Sequence, residues 1–461
     1  MIPLLAGATI VITMMCLALL QYAMPPGFDN PPGVNAGGVY QFRSVVWKVG
    51  FPSLGTASFV WIFRLLLGIA WGAYTVLLVA GFRQKYIAPP WALALVVSTC
   101  GALAFICPPS LSADVYAYAG WGRMAVLHGW NPYTQTLAAL ATLGDPAAGL
   151  IPVGAGSVHG PIWNVLCIAL VGLFRDAGVW WQVVALKLLA GAGVCAAALA
   201  GREISRAYDR DRADLTLLAI GLNPLLLIEG PGNGHNDVLM IALMMAGIAA
   251  HTRGRRLTGY LLIGLSAGVK FITLIMLPWL LIETLAGVCR RRATVEAVGA
   301  VALALAPTVL GYALFWEGPR TLASIGVVYE EKAYPGDRAS AGSGSPRDDT
   351  AVDSAERRPT VSIPVRLCIL GSVFAAFTFR IWRAPAMGQY ISAWSAFALA
   401  LAWVGMPMTF AWYMAWPFGP ALTQWRAGRR GISMACIVLS ALILAWYTVP
   451  HGDVPRLTPA P

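Results

Sequence analysis

The chain of 461 residues is 58% hydrophobic, only 11% charged, and has a mean hydropathy of +0.67. A soluble domain carries about 25% charged residues, so this composition excludes one and points to an integral membrane protein. The net charge of +11 does not argue for a nucleic-acid partner. Most of the arginines sit in short clusters between apolar runs, where anchoring on the cytoplasmic side explains them.

The first apolar run begins almost at Met1 with no basic leader, and reads as a retained helix rather than a cleaved signal. The basic clusters are Arg83/Lys85, Arg202/Arg206/Arg210/Arg212, Arg253/Arg255/Arg256, Arg290/Arg291/Arg292, Arg380/Arg383 and Arg426/Arg429/Arg430. Setting all of them in the cytoplasm predicts spans near 3–22, 58–82, 90–107, 178–200, 215–230, 236–251, 257–270, 271–288, 293–316, 363–383, 388–405, 408–424 and 431–449. The expected fold is all-α, a polytopic helical membrane protein of about thirteen transmembrane helices that starts inside and ends outside. The segment 161–174 is short for a span, and its crossing would put the loop 201–214 outside. It is expected to be juxtamembrane or re-entrant. The eight cysteines are scattered, mostly within apolar runs and without a CxxC pair, and read as small apolar filler.

Three regions are expected: a transmembrane catalytic part over 1–336 with an external loop at 108–160, a flexible external loop at 337–360, and C-terminal helices over 361–461. The 337–360 stretch is rich in Gly, Ser, Asp and Arg with almost no large apolar residue, the composition of a segment without a fold of its own.

Polar residues gather in three places that share the external face in this topology. The first is "SADVYAYAGWGRMAVLHGWNPY" at 112–133. Ser110 or Ser112 is suited to cap a helix, which puts Asp114 in its first turn, where the dipole favours an ionised carboxylate. Asp114, Tyr118 and Trp121 share a face at spacings of four and three, as expected of an interfacial helix with its aromatics down and polar groups up. A carboxylate there is either a general base acting on a hydroxyl or merely a capping acid. Arg123, off that face, either contacts phosphate or anchors in headgroups.

The second is "NPLLLIEGPGNGHNDVLM" at 223–240. Glu229, Asn233, His235, Asn236 and Asp237 lie between two apolar helices, denser in polar groups than a plain hairpin needs. The glycines at 230, 232 and 234 permit close backbone approach, and a helix starting near Asn233 would point its N-terminus at an anion. A divalent cation on Glu229, His235 and Asp237 is an alternative that no spacing rule enforces; no metal or other cofactor is assigned. The third is Lys270, flanked by "LSAG" and "FITLIML". It is costly in a bilayer unless it snorkels or meets an anion, and two short helices are expected to meet beside it. His159 precedes Gly160-Pro161, and Trp412, Tyr413 and Trp416 form either an aromatic belt or a sugar-stacking surface.

The blocks "DVYAYAGWGRM…HGWNPY", "NPLLLIEGPGNGHNDVLMIALM", "AGVKFITLIMLPWL" and "AWYMAWPF" follow one another as in the polyprenol-phosphate-mannose-dependent α-(1→6)-mannopyranosyltransferases of the GT-C superfamily, which the chain resembles over roughly residues 90–420. The chain differs in carrying His159 where an aromatic is expected, and in its loop at 337–360. The resemblance implies a polyprenyl-phosphate-linked mannose donor, a glycan or glycolipid acceptor such as a lipid-linked or cell-envelope mannan, surrounding membrane lipids, and chemistry on the outer side of the cytoplasmic membrane. It maps the catalytic base onto Asp114. Lys270, Arg123 and Asn233 are then expected at the donor phosphate, and His235, Asn236, Asp237, Glu229, Tyr118, His159 and Tyr413 at sugar hydroxyls. Transfer of another sugar, such as arabinose or glucose, is one alternative. A secondary transporter or lipid flippase is another, but it would show two related halves, and no such symmetry stands out.

Overall fold

The computed structural model describes residues 2–23, 54–83, 87–109, 112, 114–148, 156–286, 290–323, 363–385, 388–406, 410–424 and 430–447. The loop expected at 337–360 lies outside them, as do Lys85, Ser110, Arg426 and Arg429. Among the described residues every regular element is helical. In chain order the helices are α1 (Ile2–Leu20), α2 (Thr56–Arg83), α3 (Ala92–Ile106), α4 (Asp114–His128), α5 (Pro161–Leu173), α6 (Val179–Tyr208), α7 (Ala213–Gly221) and α8 (Pro224–Leu227). They continue with α9 (Asp237–Thr252), α10 (Arg256–Val269), α11 (Met276–Leu285), α12 (Arg290–Ala313), α13 (Ile363–Arg383), α14 (Gln389–Ala400), α15 (Ala415–Ala421) and α16 (Arg430–Tyr447).

The chain is an all-α polytopic membrane protein. Five helices among the described residues are long and apolar enough to cross a bilayer: Ile2–Ala23, Thr56–Arg83, Val179–Tyr208, Ala293–Ala313 and Pro364–Arg383. A sixth is made if the pair Arg210–Gly221 and Pro224–Gly232, bent by 44°, counts as one span. Shorter apolar helices occupy most of the other expected spans. α6 runs eight residues past its expected end, carrying Arg202 and Arg206 on helix rather than loop.

α6 is the central post, packed against α9, α7, α3 and α4; α9 continues the layer onto α10, and α10 onto α12. Two breaks shape the region around the site, each with a local cause. At Asn223-Pro224 the proline has no N–H to continue the ladder. The Asn223 N–H turns to the carbonyl of Ile220, and the carbonyl of Ala219 accepts instead from the Tyr74 hydroxyl at 2.7 Å. Asn223 Oδ1 caps the new helix by accepting from the Leu226 N–H at 3.0 Å. The second break is at Lys270, whose φ of −153° and ψ of 120° end α10 before a short 3₁₀ turn, Phe271–Ile275, leads into α11.

α4 differs from the expected interfacial helix. Every residue from Val115 to Met124 is buried, because α5 and α6 enclose it. Its aromatics pack sideways into protein: the Tyr118 ring lies 4.9 Å from Trp163 and 5.2 Å from His159. Only its ends reach open space.

Candidate functional site

Asp114 opens α4. Its N–H donates to Ser112 Oγ at 3.1 Å, the local reason that the helix starts there, and its side chain is 40% exposed. Tyr118, one turn on, reaches Asp114 Oδ2 with its hydroxyl at 3.4 Å. Burial and the neighbouring Asp114 charge hold the Tyr118 phenol well above its ordinary pKa, so it stays a donor to the carboxylate.

The turn from 228 to 236 carries most of the remaining candidates. Ile228–Gly232 is a π-helical turn containing Pro231. It closes through Asn233 N–H to the carbonyl of Ile228 at 2.8 Å and His235 N–H to that of Glu229 at 2.9 Å. Gly234 sits at φ +80°, and a Cβ there would stand 2.7 Å from Val115 Cγ2. Only glycine lets this turn lie against the start of α4. The contact puts the His235 ring between two acids: Nδ1 lies 3.5 Å from Asp114 Oδ2, and Nε2 lies 3.3 Å from Glu229 Oε2. Asn233 Nδ2 donates to Glu229 Oε2 at 3.5 Å and to the carbonyl of Ile228 at 3.1 Å. Trp412 stacks on the imidazole at 4.1 Å and 21°, and is itself backed by Phe410 at 4.3 Å.

Asn236 Nδ2 donates to His159 Nδ1 at 3.0 Å. Asp237 Oδ1 accepts from Lys270 Nζ at 2.6 Å and also from the Trp416 indole N–H. The Lys270 ammonium lies 5.6 Å from the Tyr413 ring centre and 5.4 Å from that of Trp416, within cation–π range. Its side chain stays 23% exposed. Asp114 and Lys270, far apart in sequence, thus contact the two ends of one turn, 235–237. The loop at 156–160 is bound to the same place, since Gly160 N–H donates to the carbonyl of Val269 at 3.0 Å.

Burial sorts these residues. Glu229, His235, Asn236, Asp237 and Tyr118 are essentially inaccessible, and Asn233, His159 and Tyr413 nearly so. They stand behind the two groups that reach open space, Asp114 and Lys270. Trp412, Tyr413 and Trp416 form neither a lipid-facing belt nor an open platform, because they are buried over His235 and Lys270. Arg123 is brought to a different place. It is two and a half turns along α4 from Asp114, about 13 Å of helix rise, in a buried cluster. Its Nε donates to Asp145 Oδ1 at 2.8 Å and its Nη1 to Gln182 Oε1 at 3.1 Å, while His128 Nε2 meets Asp145 Oδ2 at 2.8 Å. This cluster ties the loop of Asp145 to α4 and α6.

The divalent-cation alternative fares poorly on geometry. Glu229 Oε2 faces His235 Nε2, but Asp237 is taken up by Lys270 and Trp416, so the three candidate ligands are not gathered on one point. Among the described residues no group of three or more His, Cys, Asp or Glu side chains is placed to hold a metal ion.

Two partners of the site were missed in the sequence. Trp416 binds Asp237, and the aromatic string in which it lies gave no hint of a carboxylate partner. Lys187 is fully buried within α6, donating to the carbonyls of Leu103 and Cys107 at the end of α3, with its stem against Gly234. It was detectable as a lone lysine inside the apolar run "VVALKLLAGAG".

Comparison with known proteins supplies the family. The family described as alpha-(1->6)-mannopyranosyltransferase, N-terminal domain, matches residues 32–286, which carry Asp114, the 228–237 turn and Lys270. Alpha-(1->6)-mannopyranosyltransferase A of Mycobacterium tuberculosis is 32% identical over 182 residues, covering 37% of this chain and 33% of that protein. The protein of the same name from Corynebacterium glutamicum is 28% identical over 269 residues, covering 54% and 52%. The chain thus spans about a third to a half of the length of these relatives. No solved structure matches it. With more than half of its residues matched, the chain belongs to the alpha-(1->6)-mannopyranosyltransferase family.

Proposed function

We propose that the chain is a membrane mannosyltransferase. In this reading it moves mannose from a polyprenyl-phosphate donor to a lipid-linked or cell-envelope mannan, on the extracytoplasmic side of the cytoplasmic membrane and with inversion at the anomeric carbon. The observation that carries it is the meeting of a half-open carboxylate, Asp114, and a partly open ammonium, Lys270, at one buried turn. Asp114 takes the proton of an acceptor hydroxyl as its oxygen attacks the anomeric carbon. The carbon–oxygen bond to phosphate breaks on the opposite face, and the lipid phosphate leaves with the electron pair. Lys270 offsets the charge that develops on that phosphate, whereas Asn233, expected there from the sequence, is buried with its amide on Glu229 and Ile228. A phosphate is a good leaving group, so no general acid is required.

The buried residues have supporting roles here. Tyr118 and His235 hold Asp114, and Asp237, Tyr413 and Trp416 hold Lys270. His159 and Asn236 brace the turn from the loop side. Arg123 anchors the external loop through Asp145 rather than touching the donor. The test is transfer of labelled mannose from a polyprenyl phosphate in membranes carrying wild type or Asp114→Asn. Transfer by wild type and its loss in the variant support the reading. Export of a labelled solute without transfer of any sugar overturns it.

A further inference from the structure

We propose that His235 is a positioning residue, an imidazolium that bridges Asp114 and Glu229 and fixes both the orientation and the charge of the catalytic base. The inference rests on the reading of Asp114 as that base and deepens it.

The geometry is that of a strut. The ring's two nitrogens face opposite carboxylates at 3.5 and 3.3 Å, and neither His235 nor Glu229 has any exposed surface. Glu229 is anchored by Asn233 and lies on the turn whose backbone closes onto His235. The enclosed pair thus holds a ring nitrogen within ion-pair range of one oxygen of Asp114. A buried acid, Glu229, and a half-open one, Asp114, face the same imidazole from opposite sides, and a cation between them offsets their repulsion. An imidazolium satisfies both, and stacking on the face of Trp412 at 4.1 Å favours the cationic ring.

The surrounding charges agree. From α4 the ring faces Asp114, with Tyr118 on the same carboxylate. From its own turn it faces Glu229, and Asp237 follows with its Lys270 partner. From α6, Lys187 packs against Gly234 but spends its ammonium on the carbonyls at the end of α3. From the loop, His159 contacts Asn236. Burial pushes the His235 pKa down, but Asp114, Glu229 and Asp237 outweigh it, and the net direction is upward. A cation this close keeps Asp114 ionised, the form that accepts a proton.

The first test needs no substrate. In detergent-solubilised full-length protein labelled with ¹⁵N-histidine, the His235 signals are assigned by their loss in His235→Gln and followed through a pH titration. The expected midpoint lies above about 6.5, the ordinary histidine value, and falls by about one unit in the isosteric Glu229→Gln variant. A midpoint at or below the ordinary value overturns the strut, whatever the protein's substrate. The second test uses transfer activity. In His235→Gln the acid limb of the kcat profile should rise by about one pH unit, with donor KM changed less than about threefold. A purely structural role would lower activity at all pH values and leave the limb in place, which also overturns the proposal. Absence of mannosyl transfer by wild type would sink the functional reading, while the titration still decides the strut.

Discussion

Lys270 Nζ lies 2.6 Å from Oδ1 of Asp237, across a helix break and 33 residues of chain. Asp237 is buried, and its other donor is the Trp416 indole. Removing the lysine strands a buried carboxylate, a cost of about 3–5 kcal/mol for fully enclosed pairs. Because the Lys270 side chain is 23% exposed, about 2 kcal/mol is the better figure. The expected result is that Lys270→Met unfolds at lower temperature than the double variant Lys270→Met/Asp237→Asn. Equal melting temperatures would show that the two residues do not depend on one another.

Asp114→Asn should lower kcat for mannosyl transfer by at least about 10²-fold while leaving the melting temperature within a degree or two of wild type. Its side chain is 40% exposed, so little packing is lost. A variant that keeps most of its activity removes Asp114 from the chemistry.

Gly160 marks where the 156–160 loop meets the broken helix. A Cβ on it would stand 2.2 Å from the carbonyl oxygen of Gly268, which is backbone and cannot rotate away. Gly160→Ala is therefore expected to cost about 1–3 kcal/mol and to reduce transfer activity, since Lys270 follows two residues after Gly268. Gly129→Ala is a control for general glycine sensitivity: its φ of +66° is strained for alanine, but nothing lies within 4 Å of the new Cβ. Gly160→Ala should lose clearly more activity than Gly129→Ala, and equal losses would refute the close-packing argument.

Asp145 supplies a pH dependence. Burial pushes its carboxyl pKa up, but hydrogen bonds from Arg123, His128 and the Ala147 N–H outweigh this and hold it below the ordinary value. A depressed folded-state pKa contributes stability that is present above the unfolded value near 3.9 and is lost as pH falls through the folded value. Asp145→Asn should therefore melt below wild type at pH 7 and at pH 5, with the gap closing only below about pH 4. A gap of constant size down to pH 3 would mean that the charge of Asp145 is not what stabilises the loop.

Much of the fold was legible because apolar length and arginine position constrain helices directly. The break at Lys270 falls where a stranded charge interrupts an apolar run, as expected, whereas the run 215–230 reads as one span and the break that Pro224 makes in it was not anticipated. Asp114 was legible from its cap position. What stayed hidden was pairing across the chain. Nothing near Arg123 indicates Asp145 and Gln182 as its partners, and nothing near Asp237 indicates Trp416. The expectation that Glu229 and His235 would touch sugar came from their density in a turn. Density says that polar groups need partners, not whether those partners are a ligand or one another. The enclosure of α4 was hidden for the same reason, since α5 and α6 cover the faces that a helical-wheel reading would assign to water.

The bend at Asn223-Pro224 bears on how the protein reaches its membrane. α7 has nine residues, about 13 Å at helical rise, far short of the ~30 Å hydrocarbon core, and it is followed by a segment that keeps Glu229. Only the two halves together are long and apolar enough to cross, so they are expected to insert as one unit against the α6 already made, with α9 following to enclose Glu229. Biogenesis of this region is therefore cooperative, and truncations ending between α7 and α8 should leave the nascent chain uninserted from residue 213 onward.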